Sequence, residues 1–171
     1  MPNKHNSTTI YYLEMLDPQA LLPKEVPNGF EVSMVCPPSP ALNRWFYETV
    51  GKEWGWTDRL VWSDEDWSRY VHRPVLQTWV GKHHGQTAGY FELERQSGDN
   101  VELAYFGLLR DFVDRGLGGP FLTAAVQRAW QIPDARRVWV HTCTEDHPAA
   151  LSNYRRRGFQ MYKESRVVVS A

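Results

Sequence analysis

Val101-Glu102-Leu103-Ala104-Tyr105-Phe106-Gly107-Leu108, followed after a short connector by Asp114-Arg115-Gly116-Leu117-Gly118-Gly119-Pro120, is the stretch that decides the fold. The first part is aliphatic and aromatic enough to read as a strand. Beyond the glycines, Phe121 to Gln131 is rich in Ala and Leu, and Pro120 stands near a first turn, where its fixed φ is tolerated; this predicts a helix. A strand running through a glycine turn into a helix gathers backbone N–H groups at a pole worth about +0.5 charge. Such a turn binds anions, although the same glycines serve equally to make a tight bend.

Working upstream, Val75 to Val80 and Thr87 to Arg95 are two further strands. Gly81 to Gln86 and Gln96 to Asn100 separate them at meander spacing, so the three strands are expected to be antiparallel neighbours. Ser63 followed by Asp64, Glu65 and Asp66 is an N-cap with acids in the first turn, predicting a helix to about His72 that Pro74 ends. Ala41 to Val50 is a second helix, ended by Gly51 and preceded by a strand from Phe30 to Val35. Thr9 to Met15 reads as another strand, within an N-terminal extension over 9–28 whose connector carries Pro18, Pro23 and Pro27. Downstream come a strand at Arg137 to Thr142, a helix capped by Asp146-His147-Pro148 and ended by Gly158, and an extended stretch from Phe159 to Val169. The whole is an α+β pattern, a mixed sheet with helices on its faces.

At 171 residues the chain is expected to be a single domain, 1–171, with 1–8 as a loose terminus. Its 19 basic and 20 acidic residues leave a net charge of -1, which argues against a nucleic-acid partner. No apolar run is long enough for a membrane span. Two cysteines, Cys36 and Cys143, make no disulfide framework, and no charged-then-apolar leader opens the chain; a reducing cytoplasm is the expected compartment. His72, His83 and His84 form no metal signature, because adjacent strand histidines point oppositely and no further ligand completes a set.

Two phosphate-binding patterns fail against the glycine turn. No Lys-Ser or Lys-Thr follows it, and Phe121 stands where a dinucleotide fingerprint needs a third glycine. The stretch Val101 to Gly118 instead resembles the acetyl-CoA-binding segment of the GNAT superfamily of N-acetyltransferases, whose signature is Gln/Arg-x-x-Gly-x-Gly/Ala. Here that signature falls on Val113 to Gly118, with both glycines present and Val113 in the leading place. Ala150, Tyr154, Gly158 and Phe159 are similar to the family's Ala-x-x-x-Tyr-x-x-x-Gly-Phe pattern, and His147 stands where many members have Asn. The resemblance covers about residues 29–163. It implies a three-layer fold, with a mostly antiparallel sheet and helices on both faces, and the co-substrate acetyl-CoA. By the same resemblance, Phe106, Gly107 and Leu108 hold the thioester end. Val113, Asp114, Arg115, Gly116, Leu117, Gly118 and Gly119, together with His147, hold the rest of the cofactor.

Acetyl transfer to an amine needs a neutral nucleophile, and an alkyl amine of pKa about 10.4 costs about 4 to 5 kcal/mol to supply neutral at pH 7. A base is therefore required. Glu102 aligns with the base of histone-type family members and reads equally as an ion-paired strand carboxylate. His141 has a suitable pKa and reads more simply as a half-buried, hydrogen-bonded residue. Tyr154 is the expected general acid toward the departing thiolate. Arg155, Arg156 and Arg157 read as a solvated helix end that is also able to reach a CoA phosphate.

The resemblance implies direct transfer to a primary amine of a small molecule or peptide, and it admits a homodimer. A catalytically silent acyl-CoA-binding or protein-interaction module of the same fold is the alternative. By the same resemblance, acceptor identity falls to about the segment Ala41 to His72, and there the composition is unusual. Of 8 Trp, five (Trp45, Trp54, Trp56, Trp62, Trp67) lie in or next to the two helices and their loop. Their default role is packing; the sharper expectation is that Trp54 or Trp56 walls an aromatic acceptor pocket.

Overall fold

A computed structural model describes residues 7–168, and among them are seven strands and four α-helices. The meander forms as its composition predicts. β3 (Leu76–His83), β4 (Gln86–Gln96) and β5 (Asn100–Leu108) pair antiparallel in succession. β2 (Phe30–Met34) adds antiparallel to the outer side of β3. The turn between β3 and β4 is tighter than the glycine spacing suggests. His84 and Gly85 both take positive φ, 49° and 78°, as a two-residue hairpin turn requires, so β3 continues through Gly81 to His83.

The chain leaves β5, crosses through α3 (Gly118–Trp130), and returns as β6 (Arg137–Cys143), which lies parallel to β5. α3 begins at Gly118, earlier than Phe121, because the glycines themselves enter the first turn. α4 (Ala150–Arg156) follows β6 but is not capped by Asp146 as expected. That carboxylate turns back to accept bonds from Thr142 Oγ1 and the Cys143 N–H, and the helix starts after uncapped Ala149. Gly158, at φ 102°, ends the helix against the backbone of Ala20, where a side chain would collide.

β1 (Ser7–Met15) is no peripheral extra. The sheet order is β2-β3-β4-β5-β6-β1-β7, so β1 sits between β6 and β7 (Gln160–Val168) and pairs antiparallel with both. Its inward residues Leu13 and Met15 are buried in the core, which holds the strand in an interior place. Ser7 and Thr8, expected to be loose, pair with Val168 and Val167; the rest of the expected loose terminus, 1–6, lies outside the described residues.

Helices cover both faces of the sheet. On one side Phe121, Leu122, Ala125 and Val126 of α3, with Tyr154 of α4, pack on Phe91, Leu93, Val101, Leu103, Val138 and Val140. On the other, α1 (Pro40–Gly51) and α2 (Asp64–Val71) bring Phe46, Val50, Tyr47, Trp67 and Val71 onto Val80, Tyr90 and Leu76. α2 opens with a reciprocal capping box between Ser63 and Asp66, as its sequence predicts. Burying a large apolar side chain contributes roughly 1.5–3 kcal/mol. β4, buried on both faces from Ala88 to Leu93, is the common floor of the two layers.

Candidate active site

β5 and β6 are paired at Asn100↔Arg137, Val101↔Val138 and Glu102↔Trp139, and beyond these positions they part. Both strands continue, β5 to Leu108 and β6 to Cys143, so their far halves form the walls of a V. The β4–β5 register shifts between Glu92 and Leu93, which pair with Tyr105 and Leu103 and leave Ala104 extra. Such a bulge bends its strand, and it falls where β5 turns away from β6. Between the walls lies a cavity of about 530 Å³. Backbone that would be bonded in an unbroken sheet faces this space.

At one end the cavity reaches the glycine turn. Gly116 takes φ 73°, and α3 starts behind Leu117 with no side-chain cap on its first-turn N–H groups. Lys24, Arg156 and Arg157 line this end together with Gly116, Gly118 and Gly119. Arg157 Nε and Nη1 are buried and have no hydrogen-bond partner among the described residues. Burial, reinforced by neighbouring Arg156, pulls the Arg157 pKa down, so this guanidinium lacks a counter-charge. A side chain at Gly119 would come within 2.7 Å of both Arg157 Nη1 and Lys24 Cδ; the glycine is what lets the two cations converge.

At the other end the cavity is walled by the loop joining α1 and α2. Trp54, Gly55, Trp56, Thr57 and Asp58 face it, as do Tyr47 and Tyr105. Trp56 Nε1 donates to Asp146 Oδ1 at 3.3 Å, and the Trp54 ring packs edge-on against His147 at 4.9 Å. The two tryptophans thereby tie the α1–α2 loop to the β6–α4 loop across the mouth of the V.

The expected catalytic groups come together unevenly. Tyr154 is 6% exposed, lines the cavity from α4, and packs between Phe106 and Phe159. Burial, and then the Asp146 carboxylate, push its pKa upward, so its phenol holds its proton firmly. His141 lines the cavity from β6, whereas Glu102 sits at the vertex of the V, outside the lining. The two are adjacent, with His141 Nδ1 3.6 Å from Glu102 Oε1. Burial, with help from Glu94, raises the Glu102 carboxyl to about 6; burial lowers the His141 imidazole, against the opposing pull of Asp146.

Of the expected cofactor residues, Phe106, Gly107, Leu108, Val113, Asp114, Gly116, Gly118, Gly119 and His147 line the cavity. Two side chains do not. Arg115 is exposed and lies over the Phe112 ring, and Leu117 is buried in the core, where its aliphatic side chain anchors the start of α3. His147 accepts from the Ala149 N–H through Nδ1 and leaves Nε2 3.8 Å from Asp114. Asp146, Lys24, Tyr47 and Tyr105 are site residues that sequence reasoning missed. Asp146 reads in sequence as a helix cap, and Lys24 stands in a connector far from any motif. Of the arginines, Arg156 and Arg157 turn toward the cavity, while Arg155 is exposed and lies outside the lining.

A splayed parallel pair with a glycine-opened helix beside it makes an elongated cleft, with a helix N-terminus at one end and aromatic side chains at the other. The comparisons name the family: residues 40–159 match the sequence model of the Acetyltransferase (GNAT) family, which is most of the chain, and the chain belongs to that family. Solved structures agree on the fold. A GCN5-related N-acetyltransferase from Sphaerobacter thermophilus superposes with a TM-score of 0.68 at 18% identity, over 94% of this chain and 51% of its own. One from Kribbella flavida gives 0.65 at 20% identity, over 91% and 56%. The aminoglycoside acetyltransferase meta-AAC0020, from an uncultured soil metagenomic sample, gives 0.60 at 13% identity, over 77% and 88%. The chain thus spans little more than half the length of the first two. No curated protein sequence matches it. Among the described residues no helix is long and apolar enough to cross a membrane, and no cluster of His, Cys, Asp or Glu is built to hold a metal.

Proposed function

We propose that this chain is an N-acetyltransferase that takes an acetyl group from acetyl-CoA to a primary amine in one ternary complex. The observation that carries the reading is the continuity of the cavity. It joins the half-buried Arg157, whose Nε and Nη1 have no partner among the described residues, beside a helix N-terminus, to a strand splay flanked by His141 and Tyr154. Acetyl-CoA, when bound, supplies an activated thioester: the amide N–C bond forms as the C–S bond breaks, one proton leaves the amine, and the sulfur receives one.

The chain's own residues divide the work. Arg157, Arg156 and Lys24, with the N–H groups of Gly116 to Gly119, present the positive charge that phosphates need. The parted edges of β5 and β6 offer backbone hydrogen bonds to an extended amide-bearing arm. His141, whose neutral form burial favours, takes the proton from the amine, and Glu102 behind it stabilises the imidazolium that results. Tyr154 holds a proton on the cavity floor for the departing thiolate. Trp54, Trp56 and Asp58 wall the acceptor side. The proposed setting is cytoplasmic, with a small-molecule or peptide amine as partner, neither nucleic acid nor membrane, and the homodimer as the assembly to test.

The test is calorimetry with acetyl-CoA followed by thiol release on a panel of amines. Saturable binding is expected, with turnover on at least one amine. Tyr154→Phe is expected to lower kcat about 10²–10⁴-fold, the ordinary contribution of one general acid, with cofactor affinity unchanged. Failure to bind acetyl-CoA sinks the reading. Binding without turnover on any amine favours the silent acyl-CoA-binding module.

A further inference from the structure

Two members of the tryptophan cluster, Trp62 and Trp67, join three tyrosines around a cation, and that cation belongs to the chain. Arg59, in the segment between α1 and α2, is buried, with its Cζ 3.9 Å from the Tyr70 ring centre, 4.3 Å from Tyr105 and 4.7 Å from Trp62. Tyr47 and Trp67, each 5.7 Å away, complete a cage of five rings. At its base lies Glu92, fully buried on β4. Glu92 accepts from Tyr70 Oη at 3.0 Å and from Asn43 Nδ2 at 2.9 Å. Several aromatic faces around a buried carboxylate form a recognition site for alkylammonium and guanidinium ions.

The resident guanidinium is closely packed by the rings but pairs with Glu92 by one prong only. Only Nη1 reaches Glu92, at 3.3 and 3.4 Å from the two oxygens, where a charge-assisted pair closes to about 2.7–2.9 Å and an arginine ordinarily presents its two-pronged fork. Asn43, whose amide nitrogen serves Glu92, leaves a buried Oδ1 without a partner, and the buried Tyr90 hydroxyl on the same strand is also unpartnered. The segment that carries Arg59 belongs to no helix or strand. Tyr47 and Tyr105 are walls of the cage and of the substrate cavity at once, and Asp58, next to Arg59, faces that cavity.

We propose that the cage around Glu92 is a cation subsite of the acceptor side, filled here by Arg59, which yields its place to the distal cationic group of a diamine or guanidino-amine acceptor. Arg59 is then an internal stand-in, keeping Glu92 paired until the acceptor arrives. The subsite belongs to the acceptor only if the acetyltransferase reading holds. Cation binding by the cage itself is measured without acetyl-CoA or turnover, so the two fail separately.

The experiment uses ethylguanidinium as probe and N-ethylurea, of similar shape and no charge, as control. In Arg59→Ala, ethylguanidinium is expected to raise the melting temperature and change tryptophan emission saturably, about tenfold more tightly than N-ethylurea, the range of a desolvated cation–π site. Glu92→Gln added to that variant is expected to abolish the preference. Should Arg59→Ala not fold, Arg59→Met, which keeps the aliphatic bulk, serves in its place. In wild-type protein the Arg59 side-chain N–H resonance is expected to lie upfield under the five rings and to move to its free position as ethylguanidinium is added. A vacated cage that does not distinguish the cation from the urea overturns the proposal. So does a wild-type resonance that stays upfield at concentrations saturating the variant, for Arg59 would then be a permanent anchor of the loop.

Discussion

Glu102 occupies the last paired position before β5 and β6 part, and its environment sets a conflict between stability and chemistry. Burial, with Glu94 nearby, raises its carboxyl from 4.5 to about 6. The fold therefore favours the protonated form. Its contribution to stability is complete below the unfolded value near 4.5 and is lost as pH rises through about 6. At pH 7.5 the ionised group costs roughly 2 kcal/mol. Glu102→Gln removes that cost, so urea melts are expected to show the variant more stable than wild type at pH 7.5, with the difference closing below pH 4.5. Under the acetyltransferase reading the same variant is expected to keep the acidic limb of kcat/KM, which belongs to His141, and to shift it to lower pH because the imidazolium loses the carboxylate behind it. A variant equal in stability at both pH values would show that the carboxyl is not strained by its site. The places of Gly116, Gly118 and Tyr154 in the cavity lining were legible in sequence because each stands in a short contiguous motif that resembles the family's. Asp146 and Arg59 were not, because their partners Trp56 and Glu92 lie far away along the chain and meet them only through the fold.

The element that most tightly couples sequence to site is the entry into α3. Its helix propensity and its N-terminal proline made it legible, and the family resemblance placed Gly119 among the cofactor residues without showing which side chains its missing Cβ makes room for. In the structure Gly119 lets Lys24, from the connector after β1, approach Arg157, from the end of α4. Three separate elements, the connector after β1, α4 and the start of α3, thus meet at this end of the cavity. Gly119→Ala puts a methyl within 2.7 Å of two flexible cationic side chains, which swing aside with little strain on the backbone. The expected result is unchanged melting and acetyl-CoA binding weakened about tenfold, the value of one displaced charge-assisted contact. Calorimetry with CoA and with a truncated pantetheine thioester separates the cause: the loss appears with CoA and vanishes with the fragment that lacks phosphates. An equal loss with both would place the damage in the strand splay.

At the scale of the whole molecule, hydrophobic patterning made every strand visible and left the place of the first one open. The alternation of Leu13 and Met15 shows that one face of β1 is buried, and a period of two is silent about neighbours. Only the assembled sheet shows β1 inserted between β6 and β7, with β7 joined to the sheet through β1 alone. The final strand therefore depends on the first for every ladder bond it makes, whereas the β2–β5 meander depends on neither. Native-state hydrogen exchange tests this dependence. β1 and β7 amides are expected to open as one unit, at a lower free energy than β3 to β5. Leu13→Ala, which empties a fully buried position at a cost of about 2–5 kcal/mol, is expected to speed exchange in β1 and β7 together. β7 amides outlasting those of β1 would contradict the arrangement. The same register pairs Tyr12 with His141 and Ile10 with Cys143, so opening β1 also frees the cavity wall that carries His141. Under the acetyltransferase reading, Leu13→Ala is then expected to lower kcat through His141 while the anion end, built on α3 and α4, keeps its affinity for CoA.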